Sequence, residues 1–232
     1  MMSMLLWMLF VSGDTLPAQV VRWSDSLGLE GSTWDGHELG VYAVTQRPTS
    51  VAETYGRSDE LLILKEGQVE ATIGHQHKVL HPGGLVLMVG GDTCTVKETA
   101  GAPAVFYLIT FGPGRSPGGL EPGPSLLLDW PDLPVQTNPK GAMRQIFSEP
   151  TKTLTKIDLH ATTLNPGELS HPPHTHPQPE IILVRSGQVE EQIGDRTYRA
   201  SDGDVILLTP QIPHSIRNVG ATPAVYFALQ WQ

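Results

Sequence analysis

Three histidines and one glutamate in the C-terminal part of the chain have the residue types and the spacing to hold a metal ion. His174 and His176 are two apart in the stretch from Gly167 to Gly187, so an extended backbone points both imidazoles to one side. Glu180 keeps that parity beyond the prolines at 177 and 179, and it opens the apolar run Ile181 to Val184. His214 follows a second apolar run, Val205 to Leu208, and a proline-bearing turn. Imidazoles with one carboxylate suit a divalent transition metal, iron or manganese first, with nickel, copper and zinc as alternatives. Ligands of this kind need partners for their second ring nitrogens, and chemistry beside them needs an acid or base. His160, His171, Gln178 and Gln230 are the polar candidates for the first role, and His171 and Glu168 for the second. The plain alternative for each is a satisfied core histidine or a solvated side chain.

Such ligands need a stiff frame, and the chain supplies strands. Short apolar runs at Leu61 to Leu64, Leu85 to Val89, Ile181 to Val184 and Val205 to Leu208 recur between Gly, Pro, Asn and Asp punctuation. With 24 Gly, 20 Pro and 17% charged residues in 232, turns are plentiful, and no window sustains a capped helical period. The expected class is all-β. Thr155 to Leu164 reads as the long strand leading into Gly167, and Ala224 to Trp231 as a strand buried on both faces. A net charge of −9 without a basic cluster excludes nucleic acid as a partner. Cys94 is the only cysteine, so no internal disulfide forms. No basic group is fixed beside it to stabilise a thiolate, which favours a small buried hydrophobe over a nucleophile.

A shift of 120 positions lays the first half of the chain on the second without a gap. Glu60-Leu-Leu-Ile-Leu-Lys-Glu-Gly67 then falls on Glu180-Ile-Ile-Leu-Val-Arg-Ser-Gly187, Gly83 on Gly203, and Pro103 on Pro223. A repeat of this length implies two copies of one fold. The copies part where chemistry would need them to agree. His174 and His176 correspond to Thr54 and Gly56, His214 to Cys94, and Asn218 to Glu98, so Glu60 alone survives of the four ligand types. The N-terminal copy is therefore expected to be metal-free. Its histidines at 75, 77 and 81 fall on Asp195, Thr197 and Ser201 and read as exposed hairpin residues.

The two ligand segments resemble the paired signature motifs of the cupin superfamily. Gly167, His174, His176, Glu180 and Gly187 fill the first motif, with one extra residue after its first glycine. Gly203, His214 and Asn218 fill the second, with Thr209 and Gln211 standing where its proline and second glycine would be. The resemblance implies two tandem jelly-roll barrels with the metal motif intact only in the C-terminal one, and a metal with positions left open to water, oxygen or substrate. The expected layout is a tail or signal peptide at 1–19, a degenerate cupin at 20–112, a Gly/Pro-rich linker and approach segment at 113–141, and a metal-binding cupin at 142–232. The apolar block at 4–11 is too short to span a bilayer. It has the length of a signal-peptide core but no preceding Lys or Arg, so export and retention both stay open. The functional expectation is a metal-dependent enzyme acting on a small organic molecule, with dioxygenase-type oxidation first. Redox-neutral chemistry is the alternative, since a bicupin with one C-terminal metal also resembles the ureidoglycine aminohydrolases. A non-catalytic binding protein is the third reading. Monomer and homodimer are both compatible with two fused barrels.

Overall fold

Apolar runs broken by glycine turns become antiparallel strands throughout the chain. The computed structural model describes residues 15–23, 27–33, 36–47, 52–56, 58–112 and 121–232. The apolar block at 4–11 and residues 113–120 of the linker lie outside the described residues. Among the described residues there is no α-helix. The first ten strands are β1 (Gln19–Val21), β2 (Gly28–Ser32), β3 (Glu38–Gln46), β4 (Glu53–Tyr55), β5 (Asp59–Glu66), β6 (Val69–Ile73), β7 (Gln76–Leu80), β8 (Leu85–Met88), β9 (Cys94–Glu98) and β10 (Ala104–Phe111). After β11 (Leu126–Leu128) and a 3-10 turn at Trp130–Asp132 come β12 (Gln136–Asn138), β13 (Gly141–Glu149) and β14 (Ile157–Leu164). The chain ends with β15 (Glu180–Ser186), β16 (Gln188–Ile193), β17 (Arg196–Ser201), β18 (Val205–Leu208), β19 (His214–Asn218) and β20 (Ala224–Trp231).

Each half folds into a large and a small sheet facing each other. In the first, the sheet β11-β8-β5-β10-β3-β2 faces β4-β9-β6-β7; in the second, β1-β18-β15-β20-β14-β13-β12 faces β17-β16-β19. The repeat is visible in the backbone. Gly67 and Gly187 both turn at positive φ, 90° and 92°, and a Cβ on either would come within 3 Å of Ala104 or Ala224. Only glycine fits there without the chain shifting.

The apolar runs are continuous because both faces of the large sheets are buried. On β5, Leu62 and Leu64 fill the first barrel while Leu61 and Ile63 pack outward. On β15, Ile182 and Val184 fill the second barrel while Ile181 and Leu183 pack outward. The outward sets share one core that joins the barrels, closed by the rings of Phe111 and Trp231, 5.4 Å apart. β20 is accordingly buried along almost its whole length.

Two short strands cross between the halves. β1 pairs with β18 of the second barrel, and β11 pairs with β8 of the first. Each brings a tryptophan over a turn glycine of the barrel it joins, Trp23 over Gly203 and Trp130 over Gly83. Sheet membership thus departs from the linear layout expected at residues 20 and 113–141. The exchange is reciprocal, and each crossing also carries a carboxylate contact: the Trp23 N–H donates to Asp204, and the His81 N–H to Asp129.

Asp59 ties the first barrel to the segment between β13 and β14. Its carboxylate, 1% exposed, accepts from the Gly90 and Thr153 N–H groups and from the hydroxyls of Thr151 and Thr153. Replacing it leaves several buried donors unmet. Asp59→Ala should therefore cost about 3 kcal/mol, which in a chain of this size lowers Tm by roughly 6–12 °C. A thermal melt within a degree or two of the native protein would contradict the assignment.

Candidate metal centre

The ligand loop is held by main-chain pairing along β19. Gly167 N–H donates to Asn218 O, Ser170 N–H to Ile216 O, and His174 and His214 exchange both backbone hydrogen bonds at 3.2 and 3.0 Å. Asn218 locks the far end of β19, since its side chain donates to Leu164 O and Thr222 O and accepts from Gly220 N–H. The turn before β19 is set by Gln211, which sits at φ 60° and donates its N–H to His176 O at 2.8 Å. This is the position where the motif calls for glycine. The departure therefore keeps the turn and carries backbone strain in a left-handed residue with a Cβ.

Three imidazoles converge as a result. The nearest ring nitrogens of His174, His176 and His214 all lie within 4.8 Å of one another, the one such donor cluster among the described residues. Burial is graded, with His174 exposed, His176 intermediate and His214 buried. Glu180, 6% exposed, lies beside two of these histidines at the first position of β15. Its Oε2 lies 2.9 Å from His176 Nε2 and 3.7 Å from His214 Nε2.

The second nitrogens settle which atoms face inward. His176 Nδ1 lies 2.8 Å from Gln178 O, and His214 Nδ1 lies 2.9 Å from Ile212 O. A carbonyl only accepts, so both rings carry hydrogen on Nδ1 and turn Nε2 toward the centre. His214 Nε2 is buried without a hydrogen-bond partner. Burial lowers the His214 pKa, so a second proton does not resolve its position. Burial pushes Glu180 upward, but hydrogen bonds from His176 and Gln230 outweigh it and hold the carboxylate below its ordinary range. The hydrogen bond to Glu180 in turn raises His176. Lone pairs and a carboxylate facing a common centre fit a divalent cation, with the imidazoles as neutral ligands.

The expected supporting residues divide. Gln230 donates to Glu180 Oε2 at 3.0 Å and lies 3.3 Å from His176 Nε2, so it orients two of the ligands. Gln178 contributes its carbonyl, while its side chain donates to Gln232. His160 faces the cavity with Asp158 3.9 Å away. His171 stands edge-on to His174, ring centroids 4.0 Å apart, and burial lowers its pKa. The Glu168 side chain does not line the cavity; its backbone O accepts from Asn218 N–H.

The donors open on a cavity of about 330 Å³ inside the second barrel. Among the lining residues that the sequence did not single out, one is a buried acid. Glu191 is fully buried, and burial together with the Glu180 carboxylate pushes its pKa up to about 9. Val189 and Ile193 bracket it at the same strand parity, and that alternation was the available signal.

Among the described residues, the first barrel holds no such group. Cys94, at the position of His214, is buried among Leu62, Met88 and Phe106, and burial pushes its thiol up to about 11. Glu60 accepts from Gly56 N–H. His81 is taken up by Asp129 at 2.7 Å, and His77 lies 3.9 Å from Glu70.

Two jelly-roll barrels stand in one chain, with a histidine cluster in the second. The cupin-domain family matches residues 160–229. No curated protein matches the chain in sequence. Among solved structures, oxalate decarboxylase from Lactobacillus farciminis, a formate complex, is 14% identical with a TM-score of 0.69, covering 94% of this chain and 87% of its own. Bacillus subtilis oxalate decarboxylase, described with Mn(II) centres, is 15% identical at 0.68, covering 94% and 78%. The protein Ylba from E. coli is 15% identical at 0.65, covering 93% and 82%. At these identities the likeness is one of fold. Residues 160–229 thus belong to a cupin domain, and the histidine cluster lies in the barrel that contains it.

The strained turn gives a direct check on how the loop is held. Gln211→Gly should keep the site and gain up to about 1 kcal/mol, because the left-handed conformation then costs nothing sterically. Gln211→Val should lose at least as much. Equal melting temperatures for all three proteins would show that no strain resides there.

Proposed function

We propose that this chain is a metal-dependent enzyme whose C-terminal barrel holds one divalent transition metal on His174, His176, His214 and Glu180 and oxidises a small organic molecule with dioxygen. The observation that carries the reading is the convergence of three imidazoles beside an open cavity that His174, Glu180 and His214 line. When bound, such a metal polarises a substrate oxygen, activates water or brings dioxygen beside the substrate. The manganese of the B. subtilis oxalate decarboxylase adds weight to manganese beside iron for this chain.

The chain's own residues have separate tasks in this reading. Gln178 O and Ile212 O hold the His176 and His214 rings in one tautomer, and Gln230 keeps Glu180 ionised and aligned. His171, uncharged at neutral pH, stands at the mouth as an acceptor for a substrate proton. Ile182, Ile216 and Ala228 make the wall apolar and limit water.

Glu191 favours a second reading, redox-neutral metal chemistry of the aminohydrolase or lyase kind. A carboxyl that keeps its proton inside the cavity can donate it to a leaving group, which cleavage without net oxidation needs. Oxygen consumption separates the two. Iron- or manganese-loaded protein should consume dioxygen with at least one member of a panel of small acids, flavonoids, sugars and ureides, and His176→Ala should lose both the metal and the turnover. Turnover without oxygen uptake would transfer the assignment to the second reading. Native metal content in His176→Ala would remove that residue from the ligand set.

A further inference from the structure

Glu191 differs from Glu180, the other carboxylate lining the cavity. Glu180 is satisfied by His176 and Gln230, whereas both Glu191 oxygens are buried without a hydrogen-bond partner. The Ser215 N–H is close enough to oppose the upward pKa shift but is not aligned as a hydrogen bond. The residue is 0% exposed, yet it lines the same cavity as His174, Glu180 and His214. Strand parity explains the placement. Val189, Glu191 and Ile193 face into the barrel from β16, where the first copy has Ala71 in place of the glutamate.

An unpaired buried carboxyl is a cost to folding, and an aliphatic side chain would be favoured there on stability alone. A group that is unsatisfied in the free protein and faces a cavity is satisfied by what enters that cavity. Kept neutral by burial, the carboxyl can both donate to and accept from an oxygen-bearing ligand.

A second lining residue carries the other half of the recognition. Lys140 is the one lysine or arginine among the residues lining it, and it sits on the partly exposed turn between β12 and β13. Its Nζ donates to Ser170 O at 2.9 Å, which fixes the ammonium at the rim with two N–H groups still to direct. Asn138 and Thr162 add polar atoms to the lining. The volume suits a molecule well below drug size.

We propose that Glu191 and Lys140 together select the substrate: a small carboxylic acid whose carboxylate faces Lys140 at the rim and whose hydroxyl or carbonyl oxygen is hydrogen-bonded by Glu191. The proposal rests on reading the cavity as the substrate site. It holds for either reaction class, because it concerns binding rather than the chemical step.

Calorimetric titration of the manganese-loaded chain with matched acids tests it: lactate and pyruvate against propionate, and malate against succinate. The oxygen-bearing member of each set should bind about tenfold tighter or more, since a site built to hydrogen-bond an oxygen rejects the analogue without it. Glu191→Leu should erase that preference and keep the metal. It should also raise Tm by roughly 2–4 °C, the direction expected when an unsatisfied buried polar group is removed. Lys140→Met should weaken all five acids alike. The proposal is overturned if none of the acids binds the native chain, if Glu191→Leu keeps the preference, or if that variant loses its metal or melts lower. Native-like selectivity without turnover of any acid would instead sink the enzyme reading and leave the binding assignment standing.

Discussion

Inside the C-terminal barrel two imidazole nitrogens and a carboxylate oxygen face one another, and that arrangement is repulsive until a proton or a cation sits among them. At His176 a shared proton with Glu180 answers the need, at 2.9 Å. At His214 nothing does: the ring is 3% exposed, its Nε2 has no hydrogen-bond partner, and burial opposes protonation. The surrounding structure keeps these atoms in place. Backbone pairing to β19 holds the loop, carbonyl oxygens fix the tautomers, and Gln230 clamps the carboxylate. The strain accepted at Gln211 belongs to the same frame, because its N–H reaches the carbonyl of His176.

The duplicated barrel without ligands is not idle. Its large sheet supplies half of the core that joins the barrels, from Leu39, Val41, Leu61 and Ile63 against Ile181, Leu183, Leu229 and Trp231. The sheet that carries Glu180 and Gln230 is thus backed by packed side chains, which limits how far the ligands can drift. Where the second barrel keeps a cavity, the first fills its interior with Leu62, Met88, Cys94 and Phe106. One copy has exchanged a polar pocket for packing, while the other keeps unsatisfied polar groups at the place where chemistry requires them.

Much of this was legible in the residues themselves. The strands follow the apolar runs, and the segment that carries His174 and His176 meets His214 so that three imidazoles come together, with Glu180 opening β15 beside them. Two features were hidden for physical reasons. The exchanged strands β1 and β11 are three residues long, too short for alternation to register, and neither obeys the 120-residue shift that relates the barrels. Glu191 was hidden because paired glutamates in a polar strand read as solvated. Its burial depends on which strand face closes on the barrel interior, which Val189 and Ile193 indicate once the parity is followed. Glu168 shows the converse: nearness in sequence to the ligands does not bring its side chain to the cavity.

The account turns on a cation at the three imidazoles and the Glu180 carboxylate, and native mass spectrometry of protein purified without added metal measures it most directly. The account predicts one divalent transition ion per chain, absent from a His214→Ala chain that keeps its native near-ultraviolet circular dichroism. A native chain that carries no ion and takes none up from manganese or iron would contradict it.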